Sequence, residues 1–470
     1  MSSSVKIPGM NNVDLGRYSK RLVQYFWDPE PKNNESPECP IWCLGKHYRI
    51  PVQPTEEPSS PVPRTPRERS PSNSALSHAS LESTTPPTST DESLDDAPVR
   101  IEHADSPVDS VEEDGGWPMG FLDDFESKIW LTYRSGFAPI AKSKNPDAFS
   151  SMTFSVRLRS QLLEQEGFTS DTGYGCMIRS GQMLLANTLS ILQLGRDWRR
   201  GSKPEEERRL LAQFADDHRA PFSIHRFVEH GAQACGKHPG EWFGPSATAE
   251  CIKALSHQCA EVGLKVYVTG NGSDIHENEF LEIACPDGKA FSPTLILFGT
   301  RLGIDRVTPV YWEGLKSILQ MPQSVGIAGG RPSASHYFIG VQNHSFFYLD
   351  PHTTRPALSY LSPTPAEVDS CHTRRLHRLH VKDLDPSMLM GFLIRSAEEW
   401  KTWKQNINHA QGKSIIHVSD EREDGEDGKS VIREGAVDEV ETLDESEEED
   451  ASENEDGKSI VTVTAEDTSS

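Results

Sequence analysis

Asp171-Thr172-Gly173-Tyr174-Gly175-Cys176-Met177-Ile178-Arg179 is the stretch where a loop turns into a helix. From Met177 to about Leu194, the apolar residues Met183, Leu184, Leu185, Ala186, Leu189 and Leu192 are dense enough for a buried helix. Cys176 therefore stands at or just before a helix N-terminus, behind two glycines. There the positive end of the dipole favours a thiolate, free N–H groups can hold an oxyanion, and glycine lets a substrate backbone come close. Taken alone, the segment fits a small buried cysteine without chemistry equally well.

A partner for the thiol lies far along the chain, in Tyr348-Leu349-Asp350-Pro351-His352. Residues i and i+2 of a strand face one side, so Asp350 and His352 are predicted to project together at a strand end. A carboxylate that orients an imidazole, and an imidazole that takes and returns a proton, are what a cysteine nucleophile needs. Asp-Pro-His is weak by itself, since a strand ending in a polar turn reads the same way.

Around these two stretches the elements fall in order. Phe121, Phe125, Ile129 and Tyr133 predict a helix ending near Arg134, before Gly136; further helices are predicted from Pro204 and over Ser246 to Ala260. Short β-branched or apolar runs follow at Leu264–Val268, Thr294–Phe298, Val325–Ala328, Tyr337–Val341 and Phe346–Leu349, the last two joined as a hairpin. Ser396-Ala397-Glu398-Glu399 reads as a capping box opening a C-terminal helix with Trp400 and Trp403. Helices first and strands later predict an α+β fold with a largely antiparallel sheet.

The 470 residues carry a formal net charge of -24, but the charge is local. Residues 420–470 hold 21 Asp and Glu against 4 Lys and Arg, and residues 52–115 hold 14 against 4. What remains is +3, so the folded part gives no ground for a nucleic-acid partner. Residues 52–115 also hold ten prolines and twelve serines, with Ser-Pro or Thr-Pro steps at Ser60, Thr65, Ser70, Thr85 and Ser106. Too little apolar surface exists there to offset the entropy of ordering, so a disordered insertion is expected, and a disordered acidic tail over 411–470 by the same reasoning. That divides the chain into an N-terminal piece over 1–51 and a catalytic block over 116–410. No run approaches the roughly 18 apolar residues of a membrane span, the start lacks a signal-peptide core, and eight irregularly spaced cysteines suit reduced thiols in an intracellular protein.

Several longer strings carry a resemblance. TSDTGYGCMIRSGQMLLA from Thr169, PTLILFGTRLGID from Pro293, MPQSVGIAGGRPSASHYFIG from Met321 and FYLDPHTTRP from Phe347 resemble the autophagins, together with PIWCLGKHY, FESKIWLTYRSGF, GEWFGP and LDPSMLMGF. These are autophagy-related cysteine proteases of the papain-like clan. The likeness implies a papain-like fold, a helical half presenting Cys176 and a sheet half presenting Asp350 and His352. It implies Cys176 as nucleophile, His352 as general base and acid, Asp350 as its orienting carboxylate, and Tyr133 as an oxyanion donor.

By the same resemblance Trp242 covers the channel to the nucleophile, with a mobile loop at Arg331, Pro332, Ser333 and Ala334 hinged at Gly329 and Gly330. Such a roof admits only glycine. The implied substrate is the ubiquitin-like autophagy modifier of the GABARAP class, both as free precursor and as its phosphatidylethanolamine conjugate. No cofactor or metal is expected. Membrane contact is at most peripheral, and the expected location is cytoplasmic and transiently at autophagosomal membranes, with a nuclear pool left open. Tyr174 departs from the family's usual tryptophan beside the nucleophile. Two other readings stand beside this one: a non-catalytic adaptor that holds the modifier, and a protease of the same clan acting on ubiquitin. A zinc site from Cys39, Cys43, Cys371, His372, His377 and His380 fits no usual spacing, and the basic run Arg374, Arg375, Arg378 and Lys382 reads first as a solvated face.

Overall fold

In the computed structural model, residues 31–49, 115–162, 166–270, 272–330, 334–409 and 412–420 are described. The expected insertion lies outside them apart from Gly115, and the expected tail apart from 412–420, where Ile415 and Ile416 are buried and His417–Ser419 pairs with Asp274–His276, so the folded part runs past the expected boundary at 411. Among the described residues no helix is long and apolar enough to cross a membrane.

Among the described residues there are fourteen strands, in order β1 Ile41–Cys43, β2 Lys46–Tyr48, β3 Arg134–Ile140, β4 Phe168–Ser170, β5 Lys265–Val268, β6 Asp274–His276 and β7 Thr294–Arg301. They continue as β8 Ser324–Gly329, β9 His336–Gln342, β10 Ser345–Leu349, β11 Arg355–Pro356, β12 His377–His380, β13 Ser387–Ile394 and β14 His417–Ser419. Nine of them form one sheet in the order β12-β10-β9-β8-β13-β7-β5, with β1 joined to β9 and β2 to β1. Among the described residues only the β5–β7 pair is parallel within that sheet. The fold is α+β, as the order of elements predicts, and of the papain-like kind that the resemblance implies.

Every residue of β8 is buried, and β13 is buried from Met388 to Ile394, because both faces of the sheet are covered. On one side lie the helices Cys176–Gln193 and Pro245–Gln258, whose apolar residues join Leu295, Val325 and Leu389 in the larger core. On the other, Trp312–Gln320 and Ala397–Asn408 pack against Phe298, Met390 and Phe392.

Three expectations change on contact with the fold. The first helix is Met119–Glu126 and stops well short of Arg134. Its apolar spacing continues to Tyr133, but the backbone N–H groups of Trp130 and Tyr133 go to the carbonyls of Cys371 and Pro351, and Arg134 opens β3. Tertiary partners outbid the helix. The central strand β13 was read only as part of a resemblance string, since its continuous apolar run lacks alternation. At the last helix Ser396 does accept the Glu399 N–H at 3.2 Å, but the Glu399 carboxylate takes the Arg395 N–H and guanidinium, so the cap is not reciprocal.

Candidate active site

Cys176 is the first residue of its helix, as the glycines before it imply. The turn that presents it is closed by the N–H groups of Tyr174 and Gly175 on the Asp171 carbonyl, at 3.2 and 2.8 Å. Gly173 adopts φ +92, and a side chain at Gly175 would lie 2.5 Å from the Asp171 carboxylate. Both glycines are thus required by the turn itself. Tyr174 is buried edge-on to Phe168 at 5.5 Å, so an aromatic ring suits the position.

Asp350 and His352 meet, though not by strand alternation. β10 ends at Leu349, and Asp350 Oδ1 accepts the backbone N–H of His352 at 2.9 Å and its Nδ1–H at 2.6 Å. This is a local turn closed by the carboxylate. With Nδ1 so engaged, the buried Nε2 has no conventional hydrogen-bond partner among the described residues, and the imidazole's other electrostatic partner is the Cys176 sulfur. Burial alone would lower the His352 pKa, but Asp350 and Cys176 outweigh it and raise it to about 9. Asp350 moves the other way: burial opposes ionisation, and the imidazole nevertheless holds it at about 2. For Cys176, burial disfavours the thiolate, yet His352, the Ser335 backbone N–H and the Tyr133 hydroxyl together leave its pKa below the usual thiol value. A thiolate–imidazolium pair is the resting state these shifts support at neutral pH.

Tyr133 stands edge-on to His352, with ring centroids 5.5 Å apart. Burial first, and then the sulfur, push its hydroxyl pKa far up, so it stays a donor. Its backbone is stitched to the histidine segment: Trp130 Nε1–H donates to the Asp350 carbonyl at 2.7 Å, Tyr133 N–H to the Pro351 carbonyl at 2.8 Å, and Arg355 N–H to the Tyr133 carbonyl at 2.9 Å. Cys176, Tyr133 and the Asp350–His352 pair, from three separate stretches of sequence, therefore surround one point. Chemically the arrangement offers a nucleophile, a base that can become an acid, and two oxyanion donors, the hydroxyl and the helix-first N–H.

The peptidase C54 catalytic domain matches residues 118–406. A protein named probable cysteine protease atg4 from Sclerotinia sclerotiorum is 59% identical over 446 residues, covering 94% of this chain and 99% of its own length. The namesake from Coccidioides immitis is 54% identical with 93% and 99% covered, and cysteine protease ATG4 from Pyricularia oryzae is 50% identical with 93% and 97% covered. The chain belongs to the peptidase C54 family. It is a cysteine protease.

Other residues of this peptidase that were singled out from sequence are less gathered. Trp242 is half-buried against the larger core, its indole N–H buried with no partner among the described residues. Gly329 is a ladder residue paired with His336 and Met388, whereas Gly330 carries φ +139 and would set a side chain 2.3 Å from the Ala334 carbonyl. Of the two, only Gly330 has a backbone conformation reserved for glycine. Ala334 is half-buried, and Arg331, Pro332 and Ser333 lie outside the described residues. The zinc grouping does not assemble: Cys371 meets the Arg134 guanidinium, His372 meets Glu207 and the Glu126 carbonyl, and His377 stacks near Tyr348.

Three participants escaped sequence reasoning. Ser335 is buried, its hydroxyl donating to Met177 Sδ at 3.3 Å and Ser180 Oγ at 3.2 Å while its N–H faces the sulfur. His336 lies edge-on to His352 at 5.3 Å, its Nε2 4.0 Å from Asp350; burial lowers its pKa to about 4, so it is neutral beside the charged pair. Asp171 takes the Arg134 N–H at 2.6 Å and Arg179 Nε–H at 2.6 Å, and Arg179 goes on to Asp216 at 2.7 Å. The acid and base spaced Asp171 and Arg179 across a helix start were the only sequence signal for that last network.

Proposed function

We propose that this peptidase cleaves the ubiquitin-like autophagy modifier of the GABARAP class after its C-terminal glycine, and also releases that modifier from phosphatidylethanolamine. The observation that carries the reading is Cys176 itself, 0% exposed between His352, Tyr133 and Ser335 at a helix N-terminus. A thiol so enclosed favours a thin glycyl chain end, and the names of the relatives point to autophagy.

Both reactions break an amide at the same glycyl carbonyl. The Cys176 thiolate adds to that carbon, and the oxyanion takes hydrogen bonds from Tyr133 and the Cys176 N–H. The C–N bond then breaks as the His352 imidazolium gives its proton to the leaving amine, a peptide in one case and the lipid headgroup amine in the other. Water adds to the thioester while His352 takes its proton, the C–S bond breaks, and the thiolate returns with a free glycine carboxyl group. Asp350 keeps the imidazole aligned throughout. The working site is cytoplasmic, and at autophagosomal membranes when the lipid conjugate is the substrate.

Purified chain incubated with modifier precursor, and read by intact mass, should yield the glycine-ending form; Cys176→Ala should yield none. A ubiquitin fusion in a parallel tube should stay intact. Cleavage of ubiquitin in preference to the modifier would move the assignment to a deubiquitinase, and no cleavage of either, with Cys176 unreactive to a thiol probe, would leave an adaptor.

A further inference from the structure

The helix Phe154–Leu162 has two unlike faces. Val156 and Ser160 are buried, and Val156 lies against Gly173, where an added side chain would meet it at 3.1 Å. Its inner face thus backs the turn that presents Cys176. On the outer face Phe154, Leu158 and Leu162 are 68%, 46% and 66% exposed, with Phe149 beside them at 43%. Residues four apart are neighbours on a helix, so the three form a continuous apolar stripe about 12 Å long, opposite Val156.

Basic residues border the stripe. Arg157 and Arg159 fall about 100° to either side of Leu158. Lys142 donates to the Ser160 carbonyl at 2.6 Å, and Lys144, two residues on, is exposed. From 142 to 166 there are four basic residues and three acids, and within the helix Phe154–Leu162 itself the only charged residues are Arg157 and Arg159. Apolar side chains flanked by cations that extend on long stems are what an interfacial helix presents to an anionic lipid surface. The basic run from Arg374 to Lys382 is different, because Arg374 is bound by Asp123 at 2.9 Å and Glu126 at 3.1 Å.

We propose that Phe154, Leu158 and Leu162, bordered by Arg157, Arg159, Lys142 and Lys144, form the surface by which the enzyme docks on anionic membrane, holding the Cys176 turn beside the lipid. Its purpose rests on the delipidation reading; the binding itself does not. Insertion of the stripe to headgroup depth places the nucleophile helix at the membrane without a spanning segment, so docking is reversible and the soluble precursor needs none of it.

The test is flotation of the full chain with vesicles of phosphatidylcholine and phosphatidylserine, against phosphatidylcholine alone. The wild-type chain should float with the anionic vesicles and less at high salt, and Phe154→Asp with Leu158→Asp should lower binding about tenfold or more. That variant should unfold at the wild-type temperature and cleave soluble precursor at the wild-type rate, while releasing vesicle-bound modifier more slowly. Arg159→Gln with Lys144→Gln, which spares the stripe, should weaken flotation to a smaller degree. Wild-type chain that stays with the soluble fraction, or equal flotation of wild type and double Asp variant, overturns the proposal. So does unchanged flotation with a raised KM for precursor, which would assign the stripe to the modifier. Normal flotation by a wild-type chain that cannot cleave the lipid conjugate would uphold docking and reject delipidation.

Discussion

Two walls enclose the Cys176 sulfur, and they are held by different forces. One is built from Tyr133, the 171–175 turn and the 350–356 segment, tied by backbone hydrogen bonds and by the buried chain Asp171–Arg179–Asp216, whose side chains are at most 1% exposed. The other, among the described residues, is the flank of Gly330, Ala334 and Ser335, where the contacts are neutral: Gly330 N–H donates to the Ser387 carbonyl at 3.1 Å and the Ser335 hydroxyl lies against Met177 and Ser180. Breaking a buried ion network is costly, whereas single neutral hydrogen bonds contribute about 0.5–1.5 kcal/mol each. The chemistry is therefore mounted on the wall fixed by charge, and the Ser335 side rests on neutral hydrogen bonds.

The comparison can be broken most directly at its charged end. Asp350→Asn should lower kcat/KM by about 10²- to 10⁴-fold, because the imidazole loses both orientation and charge partner. Its pH profile should change in a defined sense. With His352 raised to about 9, the wild-type enzyme should keep its imidazolium until pH rises through that value, and the variant should lose activity on the alkaline side at lower pH. An unchanged alkaline limb would mean that Asp350 does not hold the His352 proton.

Arg179→Met should cost about 3–5 kcal/mol of stability by leaving two buried carboxylates unpaired, measured by denaturant unfolding. A loss below 1 kcal/mol would erase the difference between the walls. Gly330→Ala should be milder, about 1–3 kcal/mol from strain at φ +139 and the close Ala334 carbonyl, but should depress turnover more than its stability loss explains. The smallest effect is expected of Trp242→Ala: nearly native stability with discrimination against residues larger than glycine reduced about severalfold, read by cleavage of paired substrates. Equal discrimination would remove Trp242 from the cover.

Much of the site was legible because its parts are written locally. Gly-Tyr-Gly-Cys before a dense apolar run names a helix start with a thiol on it, and Asp-Pro-His names a carboxylate within reach of an imidazole. Asp350 and His352 still meet by a turn rather than by strand alternation, since closing the turn on its own carboxylate satisfies the His352 N–H. Ser335 and His336 could not be found this way. Neither breaks a periodicity, and each matters only through what stands opposite.

The amino-acid order alone determined which residues are nucleophile, base and carboxylate candidates, the buried helix behind Cys176, the hairpin leading to Asp350, and the confinement of negative charge to two segments. These depend on neighbours a few positions apart, whose sterics and hydrogen bonds act in any context. Only the tertiary structure decided that Tyr133 leaves its helical pattern, that Asp171 grips both Arg134 and Arg179, and that an apolar stripe faces solvent beside the nucleophile turn. Those outcomes depend on which distant groups satisfy a buried N–H, a charge or an apolar face, and spacing along a chain does not encode that pairing.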